Sequence, residues 1–284
     1  MKFLIQAFLF LSVICSAQSA NRFFYELSYK PKTNSSERKK ILTILDIAEK
    51  KSIYQDFTYF SQDSLISSKM DSMQKSGVYT DLSTFIRKPD IPYKILKEYP
   101  DFNQIHQEYF IEANFSYTIK PVLKWKILPE KEKIGAYEAQ KASLSFGGRN
   151  WTAWFTTQIP FQDGPYKFCG LPGLIVKIED DRQEFSWSLK GNKKIEQYNE
   201  ISLAEKTLPN HDKFIHTTPE KFAKALASYK KDPLSSMRGM FTEEMMNKSF
   251  DNSGKTLAEI LKEQEKAIMK IYENDNPIEV FSEN

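Results

Sequence analysis

At 284 residues, with 40% hydrophobic and 14% aromatic side chains, the sequence can bury one substantial core, as a single large domain or a domain with a helical appendage. Forty Lys and Arg against 37 Asp and Glu leave a formal net charge of +3. The lysine runs (Arg38-Lys39-Lys40, Lys193-Lys194, Lys230-Lys231) sit beside acidic residues, which excludes the clustered basic face of a nucleic-acid binder.

The N-terminus reads as a secretory signal peptide over residues 1–17. Met1-Lys2 is a short positive start, Phe3 to Cys15 is an apolar run of 13 residues, and Ser16-Ala17 supplies small residues for cleavage, with Ala20 as the alternative site. Thirteen residues fall short of the roughly 20 needed to span a bilayer, and no later segment is long and apolar enough either. The expected location is therefore periplasmic or extracellular. Cys15 lacks the small preceding residue and upstream Leu of a lipidation site, since Ile14 and Ser12 stand there. Cleavage leaves Cys169 alone, so no intramolecular disulfide can form, and the thiol is expected to be buried.

Phe23, Tyr25, Leu27 and Tyr29 alternate along a first strand, and Lys40 to Ile47 reads as a second, although its spacing also fits a short helix. Asp63 to Gln74 looks helical, with Asp63 as N-cap and Leu65, Met70 and Met73 near one stripe. Residues 76–105 are broken by Gly77 and three prolines. Tyr109 to Tyr117 and Leu123 to Leu128 read as strands. Gln140 to Phe146 and Trp151 to Thr157 flank Gly147-Gly148-Arg149-Asn150, a hairpin signal. Leu174 to Glu179 and Glu184 to Leu189 form another hairpin, with Leu174, Val176 and Ile178 expected to face Phe185, Trp187 and Leu189. From Pro219 the pattern turns helical: Pro219 to Tyr229 and Leu257 to Tyr272 each carry one apolar stripe, expected to pack on the sheet. The expected fold is thus α+β, a predominantly antiparallel meander that can curve into a half-barrel. Residues 18–215 form its β-rich domain, and residues 216–284 a helical C-terminal part packed on the same domain.

The most distinctive stretch is RNWTAWFTTQIPFQDGPYKFCGLPGLIVKIED, residues 149–180. It resembles the GLPGLI family of exported proteins, found mostly in Bacteroidetes, through Gly170-Leu171-Pro172-Gly173-Leu174-Ile175. Gly148-Arg149, Trp151, Ala153-Trp154, Ile159-Pro160, Gly164-Pro165-Tyr166-Lys167-Phe168, Leu45-Asp46-Ile47 and the closing Asn276-Pro277-Ile278-Glu279 fit as well. The resemblance implies export, a β-rich fold and a conspicuous loop, and it assigns no catalytic residue. Physically, Gly164, Gly170 and Gly173 open backbone angles closed to other residues, while Pro165 and Pro172 stiffen the path. Such a loop is either a structural crossover or a rigid rim presenting Tyr166, Lys167 and Cys169 to a ligand. Arg149, Trp151 and Trp154 complete the candidate ligand-binding set; the two tryptophans, three apart on a strand, point to opposite faces.

The chemistry of catalysis is sparse. His106, His211 and His216 do not have metal-ligand spacing, no nucleophile elbow or phosphate-cradling loop appears, and no cofactor is implied. The leading expectation is a non-enzymatic binding or carrier protein, whose sheet curves around an apolar hollow plugged by helices and takes a hydrophobic ligand or an exported polypeptide. The alternatives are a hydrolase using Cys169 or the acidic residues Glu179, Asp180 and Asp181, and an assembly module for an outer-membrane partner with an open sheet edge or apolar patch.

Overall fold

The computed structural model describes residues 18–110, 113–249 and 254–279; the signal-peptide reading falls outside them. The elements in chain order are β1 (Ala20–Tyr29), β2 (Lys39–Ile47), β3 (Lys51–Asp56), α1 (Thr58–Ser61), α2 (Asp63–Ser76), a 3₁₀ turn (Leu82–Phe85), β4 (Tyr93–Glu98), β5 (Asn103–Tyr109), β6 (Asn114–Ile119) and β7 (Lys126–Ile134). They continue with β8 (Tyr137–Phe146), β9 (Arg149–Thr156), β10 (Leu174–Asp180), β11 (Phe185–Ile195), α3 (Leu203–Lys206), β12 (Ile215–Thr217), α4 (Pro219–Lys231), α5 (Ser235–Arg238), α6 (Glu243–Asn247) and α7 (Leu257–Tyr272).

All twelve strands join one open sheet in the order β12-β6-β5-β4-β3-β2-β1-β11-β10-β9-β8-β7. Every neighbour pairs antiparallel except β12, which lies parallel to β6. The sheet must curl. β6 and β7 stand ten strand spacings apart, about 48 Å if laid flat. Only residues 120–125 join them, and that length of chain reaches at most about 25 Å. The tether therefore crosses the mouth of a half-barrel, and its Leu123 and Trp125 pack on the inner core.

Alternation decides which side chains fill the inside. Phe23, Tyr25 and Leu27 of β1, Leu45 and Ile47 of β2, Tyr54 of β3, Ile95 of β4, Trp151, Ala153 and Phe155 of β9, and Phe185 and Trp187 of β11 form the main core. The core is filled from above by the long β9–β10 connection, residues 157–173, through Tyr166, Phe168 and Leu171. Closing a loop of this length costs about 2.5 kcal/mol beyond a constant. Burying Phe168 and Leu171 offsets this at about 1.5–3 kcal/mol each. Phe222 of α4 covers the β5–β6 end, against His106, Phe115 and Tyr117. The expected hollow is thus occupied, chiefly by the chain's own loop and only at one end by a helix.

Several local expectations change. Tyr109 to Tyr117 is two strands, β5 and β6, that pair through Tyr109 and Asn114. β7 begins at Lys126, so Trp125 precedes it and is freed to donate its indole N–H to the Cys169 carbonyl at 2.8 Å. Asp63 does not cap α2. It lies inside the first turn, and its carboxylate accepts from the Ala204 amide instead. Leu65 and Met70 are exposed, and Ile66 is the buried residue of α2. A bulge between Ile175 and Lys177 turns Val176 to the outer face, where it packs with Ala139 and Trp154, while Leu174, Ile175 and Ile178 stay inside. Finally, α7 buries Leu257, Leu261 and Ile268 against Leu234 and its helical neighbours, forming a cluster of its own instead of lying on the sheet.

The predicted glycine hairpin is present. Gly147 and Gly148 have φ of 62° and 75°, as a two-residue turn between twisted strands requires, and Phe146 pairs with Arg149 across it.

Candidate functional site

The motif loop is held from below by a buried lysine. Tyr93, Ile95 and Lys97 share the inner face of β4, so an unbroken alternation carries Lys97 into the core, where it is fully buried. Its ammonium donates to the carbonyls of Gly164 at 2.6 Å, Tyr166 at 3.1 Å and Phe168 at 3.4 Å, and pairs with Asp163 at 2.5 Å. Asp163 also accepts from the Tyr99 hydroxyl and the Gly164 amide. On the same face, Gln104 donates to the Lys167 carbonyl at 2.8 Å. The main-chain oxygens of Gly164, Tyr166, Lys167 and Phe168 are thus met by side chains of β4 and β5.

At the loop tip, Tyr166 adopts φ of 53°, a left-handed conformation that costs a non-glycine residue about 1–2 kcal/mol. Tyr166 is anchored between Tyr54, Tyr93 and Trp187, and its hydroxyl donates to the Glu279 carboxylate. Lys167, also buried, donates to the same carboxylate and lies over the Tyr117 ring. Arg149, at the end of the glycine hairpin, binds Asp180 and Glu184 at 2.8 Å each and spends its remaining N–H groups on residues 276–278. Arg149, Tyr166 and Lys167 therefore converge on one object, the C-terminal segment that follows α7.

Residues 148–177 match the model of a family described as a protein of unknown function (Porph_ging). The match runs from the hairpin turn through the loop to β10, and so covers Arg149, Tyr166, Lys167 and the string Gly170 to Ile175. Among solved structures, PNGF-II in its C2 space group is similar with a TM-score of 0.51 and 11% identity over 75% of this chain and 34% of that chain. PNGF-II in its P21 space group gives 0.48 and 13% over 73% and 33%. The chain spans about a third of the length of these solved chains, and the likeness is one of fold. No curated protein matches.

The remaining predicted residues lie apart. Trp151 is in the main core, against Phe168 and Trp187, with its indole N–H on the Phe146 carbonyl at 2.9 Å. Trp154 points to the opposite face, as its spacing predicted, and is buried there under Ala139, Val176 and the Lys141 side chain. Cys169 is buried beside Gln104 and Lys97, and burial pushes its thiol up to about 12. Labelling by a disulfide reagent is expected to be at least about a hundredfold slower in the folded protein than in denaturant; equal rates would show the thiol to be accessible.

The acidic candidates are also engaged. Asp180 is buried against Arg149 and accepts the Phe185 amide at 2.8 Å; Asp181 accepts from Asn150; Glu179 pairs with Lys177. The three histidines are dispersed, on Glu108, Leu208 and Ser116 respectively, and burial lowers the pKa of His106. Among the described residues no group of three or more His, Cys, Asp or Glu is placed to hold a metal ion.

Sequence reasoning missed Lys97, Asp163, Gln104 and Glu279. The signal for the first was present, since a lysine continuing the Tyr93, Ile95 alternation must be inward. The others are legible only once the loop and the C-terminal segment are seen to meet.

Open space lies on the outer face. A cleft of about 200 Å³ is lined by Ile53, Leu96, Ile201 and Phe214 together with Lys94, Gln107, Glu200, Glu205, His211 and Asp212. Lys94 binds both Glu205 oxygens at 2.6 and 2.5 Å, and Tyr109 donates to Glu205 at 2.9 Å. Desolvation lowers the Lys94 pKa against the pull of Glu205. A second hollow of about 360 Å³ adjoins it through Phe214, with Phe110, Pro209 and Ile215 in its wall.

Proposed function

We propose that the chain is an exported, non-catalytic binding protein of the GLPGLI type that takes a small amphiphilic ligand on the outer face of its sheet. The observation that carries this reading is the distribution of space. The inner face is filled by residues 157–173, whereas the two adjoining hollows at Phe214 are open. Their walls mix apolar side chains such as Leu96 and Phe214 with comparable polar surface from Gln107, His211, Asn114 and Lys213, a lining suited to an amphiphile. Export rests on the signal-peptide pattern of residues 1–17.

A catalytic reading has less support. Cys169 is buried as a neutral thiol, and Asp180 is bound to Arg149 in a structural role. Assembly by strand addition is also disfavoured. Edge strand β7 carries Lys126, Glu130, Lys131, Glu132 and Lys133 around Pro129, residues that discourage pairing, and edge strand β12 has three residues.

Lys94 is paired with Glu205 and Glu200 with Lys51, so a positively charged head group would be met by Asp212 at the border of the cleft. A dansyl-labelled alkylamine titrated into the mature protein is expected to bind saturably at one site, and at least about tenfold more weakly to Phe214→Ala. Folded protein that takes up no probe, or a variant that binds equally well, would overturn the reading.

A further inference from the structure

The segment after α7 is bound as a ligand is bound. Arg149 donates Nε to the Ile278 carbonyl at 3.0 Å, and Nη2 to the Pro277 carbonyl at 3.0 Å and to Asn276 Oδ1 at 2.7 Å. Asn276 returns its side-chain N–H to the Lys30 carbonyl at 3.0 Å, and its amide to the Pro31 carbonyl at 3.1 Å. Ile278 packs on the main core, and the Glu279 carboxylate ends in the grip of Lys167 and Tyr166. Gly147 leaves the space for it: a Cβ there would stand 2.8 Å from Glu279 Cγ.

This socket reads an amide, two main-chain carbonyls, an apolar side chain and a carboxylate along four consecutive residues. We propose that it is a peptide-recognition site for an extended Asn-Pro-apolar-acid segment, filled in cis by residues 276–279 and open in trans to the same segment of a second copy of this chain.

Two features favour exchange between copies. The apolar cluster of Leu234, Leu257, Leu261 and Ile268 is distinct from the main sheet core, so α7 can travel with the segment by parting from Tyr229 of α4, which stays on Phe110. The segment that fits the socket is the chain's own, and swapping an identical element recreates every contact at small cost. The cis segment acts at an effective concentration on the order of millimolar, so the trans form needs either a high protein concentration or a weakened cis contact.

A charge exchange separates the two. Glu279→Lys weakens the segment at its Lys167 end while residues 276–278 keep their partners, and Lys167→Glu alters the socket, so each variant alone carries a mismatch. Mixed one to one, the two chains can satisfy both sockets reciprocally. Native mass spectrometry is expected to show a heterodimer at least about tenfold enriched over either homodimer. The doubly substituted chain should be a folded monomer, which controls for tolerance of the reversed pair. Should Lys167→Glu fail to fold, a fluorescent peptide of residues 273–279 added to full-length Glu279→Lys provides the second measurement. It should bind at least about tenfold more tightly than to the wild type, whose socket is filled. Folded Glu279→Lys that takes neither partner chain nor peptide overturns the proposal. Peptide binding without any heterodimer overturns the assignment of the occupant to a second copy.

Discussion

Replacing Lys97 with methionine is expected to destabilise the fold by about 3–5 kcal/mol, read as a fall in the urea midpoint at unchanged slope. The methionine keeps the aliphatic volume, so packing is not what is lost. What remains is an Asp163 carboxylate, itself 1% exposed, without its cation, and loop carbonyls of Gly164, Tyr166 and Phe168 without their donor. An uncompensated charge at a buried site carries a penalty of this size, larger than the net worth of the pair that preceded it. The double variant Lys97→Met/Asp163→Asn should therefore recover part of the loss. If it is no more stable than Lys97→Met, the buried carboxylate is not the source.

Gly173→Ala is expected to cost more than about 3 kcal/mol, for a steric reason. A Cβ at position 173 would stand 2.1 Å from the Thr156 carbonyl oxygen and 2.6 Å from its carbon, both main-chain atoms of β9 that cannot swing aside. The loop would have to lift from the strand, uncovering Phe168 and Leu171. Gly170→Ala provides the contrast. Its φ is 88° but a Cβ there meets nothing within 4 Å, so only left-handed strain of about 1–2 kcal/mol applies. Equal thermal shifts for the two variants would contradict this account.

The two glycines illustrate how much of the fold was legible in the sequence. Alternation placed Phe23, Tyr25 and Leu27 on one face, and Trp151 and Trp154 on two, because strand periodicity is local. The Gly147-Gly148 turn and Pro219 at the start of α4 were legible for the same reason. What escaped reading was set by contacts distant in sequence. The tight approach of Gly173 to Thr156 depends on where the loop lands. The inward turn of Tyr166 and Lys167 depends on Glu279, more than a hundred residues later. The bulge that reverses Val176 has no local signature, and the segment Asn276 to Glu279 declares its role only beside Arg149.

The same distinction bears on how the chain is made. β1 lies in the interior of the sheet between β2 and β11, with Tyr25 opposite both Thr43 and Leu189. A polypeptide emerging from its N-terminus can complete the first three strands early, yet one flank of β1 stays bare until β11 arrives. During that interval the main-chain groups on that flank have no strand partner, although Phe161 and Ile175, made earlier, can already reach Phe23 and Tyr25. The nascent molecule is then most prone to sticking, which makes the arrival of residues 185–195 the event that ends its vulnerable period.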